Sequence, residues 1–222
     1  MAGEREALLV GIDHYEREDD LECCAADAHA MAGMLATHHD GSYNWTTNTL
    51  VSSDGSPVTR VDLRNALVQL FEESKGDDLL FYFSGHGGLS ALGPELFTTD
   101  GVPPSSFGVS MHEISLLAQH CEAASVTIIL DCCAAGTFGD EAISPSDFDT
   151  VKLRRGVSLM AACRGTEETT EVGEHGAFTQ LLLEGLDGAA ADMYGRVSGL
   201  QLHALAGAAF ASYASGSRAW VS

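Results

Sequence analysis

Apolar residues recur along this chain in two rhythms that take turns. Ala7–Ile12, Leu79–Phe83 and Val126–Leu130 are short, nearly unbroken apolar runs, as strands covered on both faces require. Between them, Ala25–Ala36 and Val61–Phe71 place apolar residues at helical intervals, the latter through Leu63, Leu67, Leu70 and Phe71. His112–Cys121, Gly176–Leu186 and Leu200–Tyr213 read as three more helices. The Thr-rich segment Asn44–Val51 reads as an edge-side strand, and Val157–Ala162 as a further strand.

Polar punctuation separates these elements. Residues 52–57 (SSDGSP) predict a turn, and Lys75–Asp78 ends the second helix. Leu89–Ser106 is rich in Gly, Pro and Ser and reads as loop, with a hairpin at Glu95–Thr99. Ala134–Arg155 is polar and aperiodic, which predicts a long flexible loop over residues 134–156 of the kind that usually carries function. Strands alternating with helices predict an α/β fold: a mostly parallel sheet with helices on both faces. The 222 residues fit one domain, 1–222, with a core of its own.

Charge narrows the partners. Eleven basic residues face 32 acidic ones, for a formal net charge of -21. Such a polyanion repels nucleic-acid phosphates and anionic lipid surfaces, so neither is an expected partner. The six cysteines include two adjacent pairs, Cys23–Cys24 and Cys132–Cys133, and no C-x2-C spacing. That is neither a secreted disulfide framework nor a zinc site. The start, MAGEREALLVGID, lacks the apolar segment of a signal peptide, and no apolar run approaches membrane-spanning length. A reducing cytoplasm is the expected location.

Candidate chemistry sits at two strand ends, where open α/β sheets bind ligands. The run Leu79–Phe83 leads into Ser84-Gly85-His86-Gly87-Gly88, and Val126–Leu130 leads into Asp131-Cys132-Cys133-Ala134. Neighbouring strands would bring an imidazole and a thiol together. The imidazole can take the thiol proton and later protonate a leaving amine. Backbone N–H groups near Gly87 and Cys133 could face a developing oxyanion. A lone buried Cys is more often a small hydrophobe, and a His among glycines more often a loop residue. On residue chemistry alone the two readings compete.

The segments LLFYFSGHGG and TIILDCCAAG resemble the histidine and cysteine motifs of the caspase-like clan, above all the metacaspases and their bacterial relatives. ALLVGID, LECCAADAHAMAGML and SLMAACRGTEETTEVGEHGAFTQLLLEGL are similar to the family's first strand, first helix, and cleft-lining strand with its following helix. The resemblance implies a three-layer α/β/α sandwich around a sheet of about six strands. It also implies a cysteine endopeptidase with His86 and Cys133 as its dyad. The chain departs from the family pattern at Cys132, Ala134 and Ala135, where members often carry serine, histidine and serine.

The same resemblance implies cleavage after Arg or Lys, with Cys24, Asp27, Ser84 and Asp131 forming an acidic pocket for the basic side chain. Nothing resembles the QACRG arrangement of caspases that cut after Asp. Read without the family, Asp27 is an acidic residue near a helix N-terminus and Asp131 a strand-end turn former. No cofactor is required. For calcium, which many metacaspases need, Asp100, Asp140 and Glu141 are the nearest candidates here, and they do not reproduce the family's whole acidic set. In a chain with 32 acidic residues, ordinary surface acidity is the stronger account of them. Lys152, Arg154 and Arg155 follow the polar stretch Ser144–Thr150, so self-cleavage after one of them is expected in an Arg/Lys-directed enzyme. Two competing functions are a catalytically weak interaction domain of the same fold and a thiol-transfer protein using Cys132–Cys133. Regulatory domains or proteins outside this chain are further expected partners.

Overall fold

The computed structural model describes residues 4–52, 56–90, 93–103, 105–134, 154–161, 171–172 and 175–214. Its centre is a parallel ladder in which β1 (Arg5–Gly11) lies between β2 (Thr46–Val51) and β3 (Asp78–Ser90). On the far side of β3 follow β6 (Ser125–Ala134) and β7 (Val157–Ala161). Where a loop with a hairpin at Glu95–Thr99 was expected over Leu89–Ser106, there are two longer strands. β4 (Gly93–Val102) and β5 (Ser106–Ser110) extend the sheet antiparallel from the outer half of β3. Among the described residues the sheet thus has seven strands, against about six expected.

Glycine and proline disguised this hairpin, whose cohesion comes from the ladder and one buried carboxylate. Glu95, 2% exposed, accepts bonds from the N–H groups of Phe107 and Gly108 and from the Ser90 hydroxyl. Phe97 stacks on Phe107 with ring centroids 4.4 Å apart. A satisfied buried carboxylate of this kind fixes the pairing of three strands.

Side-chain alternation along the central strands feeds two separate cores. Leu8, Val10, Phe81, Phe83, Ile128 and Leu130 face one side with Leu63, Leu67, Ile114 and Ala118 of α2 (Arg60–Val68) and α3 (Met111–His120). Ala7, Leu9, Leu80, Tyr82 and Ile129 face the other. There they meet α1 (Cys24–Ala36), α4 (Ala177–Glu184) and α5 (Gly199–Ala214). Each fully buried Leu, Ile or Phe contributes about 1.5–3 kcal/mol relative to exposure. This gives the three-layer α/β/α arrangement. A two-stranded ribbon, β8 (Glu171–Val172) with β9 (His175–Gly176), leads directly into α4. α2 continues into a π-helical turn, Gln69–Glu73, which carries Leu70 and Phe71 into the core.

Helix ends are tied to the sheet. Asp13, just beyond β1, accepts from the N–H groups of Cys24 and Ala25 and so caps α1 across the loop. Gly11 makes this approach possible, since a Cβ there would lie 2.1 Å from the Cys24 carbonyl oxygen. α2 begins with a capping box between Thr59 and Asp62.

Candidate active site

In the parallel register of β3 and β6, Ser84 pairs with Asp131, Gly85 with Cys132, His86 with Cys133 and Gly87 with Ala134. The two reactive strand ends foreseen from the sequence are thus adjacent, with His86 and Cys133 as direct Cα partners. Gly87 lies one position further along the same ladder. The sequence placed the end of the third strand at Phe83, but β3 continues through the glycine-rich segment to Ser90 because β6 and β4 pair with it there.

His86 is held from three directions. Its Nε2 lies 2.7 Å from the main-chain carbonyl oxygen of Asp19. Its backbone N–H donates to the Tyr15 hydroxyl at 2.8 Å, and that hydroxyl donates to the Ile12 carbonyl. The Tyr15 ring lies beside the imidazole, centroids 4.7 Å apart. Gly85 leaves room for this, as a Cβ there would sit 2.7 Å from the Tyr15 oxygen. A carbonyl can only accept, so Nε2 carries the proton and Nδ1 keeps its lone pair. Nδ1 is buried and has no hydrogen-bond partner among the described residues. Burial lowers the His86 pKa, an effect partly opposed by the bond to Asp19 and the acidic residues 18–20. Burial thus favours the neutral ring, with Nδ1 unpaired among the described residues.

The four expected pocket residues also converge. Ser84 Oγ donates to Oδ2 of Asp27 at 3.3 Å, and Cys24 lies on the same first turn of α1, its thiol electrostatically coupled to both Asp27 and Asp131. Burial pushes the Cys24 thiol pKa up, so it stays neutral. Asp27 is 1% exposed and Asp131 4%. Burial, and then repulsion from Asp131, raise the Asp27 carboxyl to about 6. Opposing this, His175 Nδ1 lies 2.8 Å from Asp27 Oδ1, and the Gly176 N–H donates to both oxygens. Asp131 Oδ2 accepts from Thr179, whose hydroxyl oxygen lies 2.6 Å from that of Tyr82.

Asp19, Tyr15, Thr179, Tyr82 and His175 escaped the sequence reading. Asp19 contributes only a backbone carbonyl, which no residue type announces. Tyr15 lies 71 residues from its partner His86, and His175 lies 148 from Asp27. Only the fold brings such residues together.

Other expected residues divide. Asp100 accepts from Arg60 N–H and from Thr98 Oγ1, each at 2.8 Å, and so supports the start of α2. Asp140, Glu141 and Lys152 lie outside the described residues. Among the described residues no cluster of three or more metal-ligating side chains occurs. Arg154 is anchored, its guanidinium donating to the carbonyls of Ala118, Cys121 and Ala123. Arg155 is exposed. No described helix is long and apolar enough to cross a membrane.

The chain is similar to several known proteins. The family model described as "Caspase domain" matches residues 4–212. Metacaspase-7 of Arabidopsis thaliana is 30% identical over 149 residues, covering 62% of this chain and 36% of its own length. Metacaspase-1 of Scheffersomyces stipitis is 29% identical over 111 residues, 48% of this chain and 26% of its own. Metacaspase-1 of Debaryomyces hansenii is 28% identical over 152 residues, 61% and 33%. The chain spans about a third of the length of the curated relatives it matches. Among solved structures, protein GSU0716 from Geobacter sulfurreducens superimposes with a TM-score of 0.63 at 20% identity. That match covers 91% of this chain and 88% of the other. The structure titled pro-sf-caspase-1 superimposes with a TM-score of 0.62 at 14% identity, covering 92% and 76%.

Proposed function

The chain belongs to the caspase-domain family of cysteine peptidases, and from that premise we propose that it hydrolyses peptide bonds after Arg or Lys, with Cys133 as nucleophile and His86 as its acid–base partner. The observation that supports the dyad is the buried Nδ1 of His86, without a hydrogen-bond partner among the described residues, on a residue in direct register with Cys133. In this reading Nδ1 removes the thiol proton as sulfur attacks the scissile carbonyl. The imidazolium then protonates the leaving amine, and water hydrolyses the acyl-enzyme with His86 again as base. Backbone N–H groups at Gly87 and Cys133 are the candidate oxyanion donors. The Asp19 carbonyl stabilises the imidazolium, since it accepts from Nε2 in both protonation states.

Specificity for a basic side chain is supported by the buried pair Asp27 and Asp131 beside Ser84 and Cys24. Among the described residues no lysine or arginine is hydrogen-bonded to Asp27. A guanidinium would neutralise the pair and could bind one carboxylate through two parallel bonds. The proposed peptide chemistry needs no cofactor, because thiol, imidazole and backbone supply every role. Were calcium a regulator, Asp140 and Glu141 would be its remaining candidates, since Asp100 is committed to α2. Self-processing after Lys152 or Arg155 fits the same specificity, and a reducing cytoplasm suits a reactive thiol.

The test is a panel of fluorogenic peptides varied at the residue before the cut, with and without calcium, on wild type, Cys133→Ala and His86→Ala. Cleavage of Arg and Lys peptides, lost in both variants, is expected. Cleavage after Asp, or activity surviving in Cys133→Ala, would overturn the reading.

A further inference from the structure

His175 belongs to neither the proposed dyad nor the expected pocket, yet it holds the strongest contact that Asp27 makes. Its Nδ1 lies 2.8 Å from Asp27 Oδ1, while the bonds from Ser84 and Gly176 are 3.3 Å or longer. The His175 side chain is 21% exposed and that of Asp27 is 2% exposed. The imidazole is thus the partly solvated member of the pair, covering an otherwise buried carboxylate. It is also the one side chain able to carry positive charge that bonds Asp27 among the described residues.

Two carboxylates share this site, and each already has its neutral donors: Ser84 and Gly176 for Asp27, and Thr179 for Asp131. Among the described residues, what a guanidinium forking onto Asp27 would have to take is the position that His175 occupies. A guanidinium forking onto Asp27 needs Oδ1 as well as Oδ2. It cannot share Oδ1 with an imidazole nitrogen at 2.8 Å, so one must leave.

We propose that His175 is a built-in competitor for the basic-residue pocket, satisfying Asp27 when no substrate is bound and giving up Oδ1 to the guanidinium of an arriving Arg. This rests on the acidic-pocket reading above and adds its specificity-determining residue. The position just before Gly176 suits the task. The Gly176 N–H keeps its own bonds to Asp27, so the carboxylate stays oriented when the ring departs. A compact ammonium is a point charge that needs only one carboxylate oxygen, so it can use Oδ2 without claiming Oδ1. His175 therefore handicaps Arg more than Lys.

The test uses agmatine, a guanidinium that is not cleaved, titrated calorimetrically at pH 7.5 into wild type, His175→Ala and His175→Lys. Circular dichroism and Tm confirm folding. His175→Gln serves as a second variant, since it keeps a neutral donor but cannot become a cation. Removing one charge-assisted competitor should tighten agmatine about tenfold in His175→Ala. His175→Lys, a tethered ammonium, should weaken it by more than tenfold, with His175→Gln between wild type and His175→Ala. In peptide assays the Arg-over-Lys preference should rise in His175→Ala through KM. A role confined to stabilising the fold would not tighten binding. Equal or weaker agmatine binding in folded His175→Ala, with wild type still binding, would overturn the role of His175 alone. Absence of agmatine binding in all variants, together with no cleavage after Arg, would overturn the pocket and this inference with it.

Discussion

The Nε2 atom of His86 lies 2.7 Å from the main-chain carbonyl oxygen of Asp19, 67 residues earlier in the chain. Because the partner is backbone, Asp19→Ala should leave kcat within a few-fold of wild type. The side chains of Glu18 and Asp19 act differently, through charge that raises the His86 pKa against the dominant effect of burial. Glu18→Gln combined with Asp19→Asn should lower that pKa further. The ring would then stay neutral to more acidic pH. An NMR titration of the His86 ring in the two proteins checks the direction. An upward shift would contradict the arrangement.

Tyr15 joins the backbone N–H of His86 to the Ile12 carbonyl. Tyr15→Phe keeps the ring against the imidazole but removes both bonds, leaving a buried N–H without its acceptor. The expected loss is about 1–3 kcal/mol of stability. Catalysis should lose about tenfold or more in kcat with KM nearly unchanged, because a small misplacement of the base is costly. Chemical denaturation and steady-state kinetics read the two effects separately.

The Asp27 carboxyl is raised to about 6, and in the proposed pocket it would bind a guanidinium only when ionised. Agmatine affinity should be flat above about pH 7 and fall about tenfold per pH unit well below 6. Stability runs the opposite way. The native pKa exceeds the unfolded value, so the native state holds this proton more tightly. The contribution is full below about pH 4 and is lost as pH rises through 6. Asp27→Asn, which cannot ionise, should therefore gain in Tm relative to wild type as pH is raised from 4 to 7. Thermal melts of both proteins across that range test the sign.

Arg154 ties the start of β7 to the end of α3 through three carbonyls. Charged donors near a helix C-terminus also offset its dipole. Arg154→Ala should cost about 1–3 kcal/mol, since buried carbonyls lose their donor. An anchored guanidinium is a poor occupant for a substrate pocket, so self-cleavage should end fragments at Lys152 or Arg155 rather than Arg154. Intact masses after incubation, with Cys133→Ala as control, identify the terminus. A fragment ending at Arg154 would show that the anchor releases.

The amino-acid sequence by itself determined which segments become central strands and which become covering helices. Continuous apolar runs such as Val126–Leu130 and helical spacings such as Leu63–Leu67–Leu70 have one efficient way to be buried. It also determined the chemistry at two strand ends, because local motifs carry their own residue types: SGHG at one, DCC at the other. Those motifs hold Ser84, His86, Asp131 and Cys133, while Cys24 and Asp27 followed from the resemblance of the first helix to that of the metacaspases. The full extent of the β4–β5 hairpin was hidden because its strands are rich in Gly, Pro and Thr and are held together by Glu95, a contact between strands. What only the tertiary structure decided is how each site group is held and by whom. The Asp19 carbonyl, the Tyr15 hydroxyl and the His175 ring reach their partners across 67, 71 and 148 residues. Hydrogen bonds of that span have no periodicity to betray them. They exist because β1, β3 and β6 lie side by side and because α1 and α4 cover the same face of the sheet.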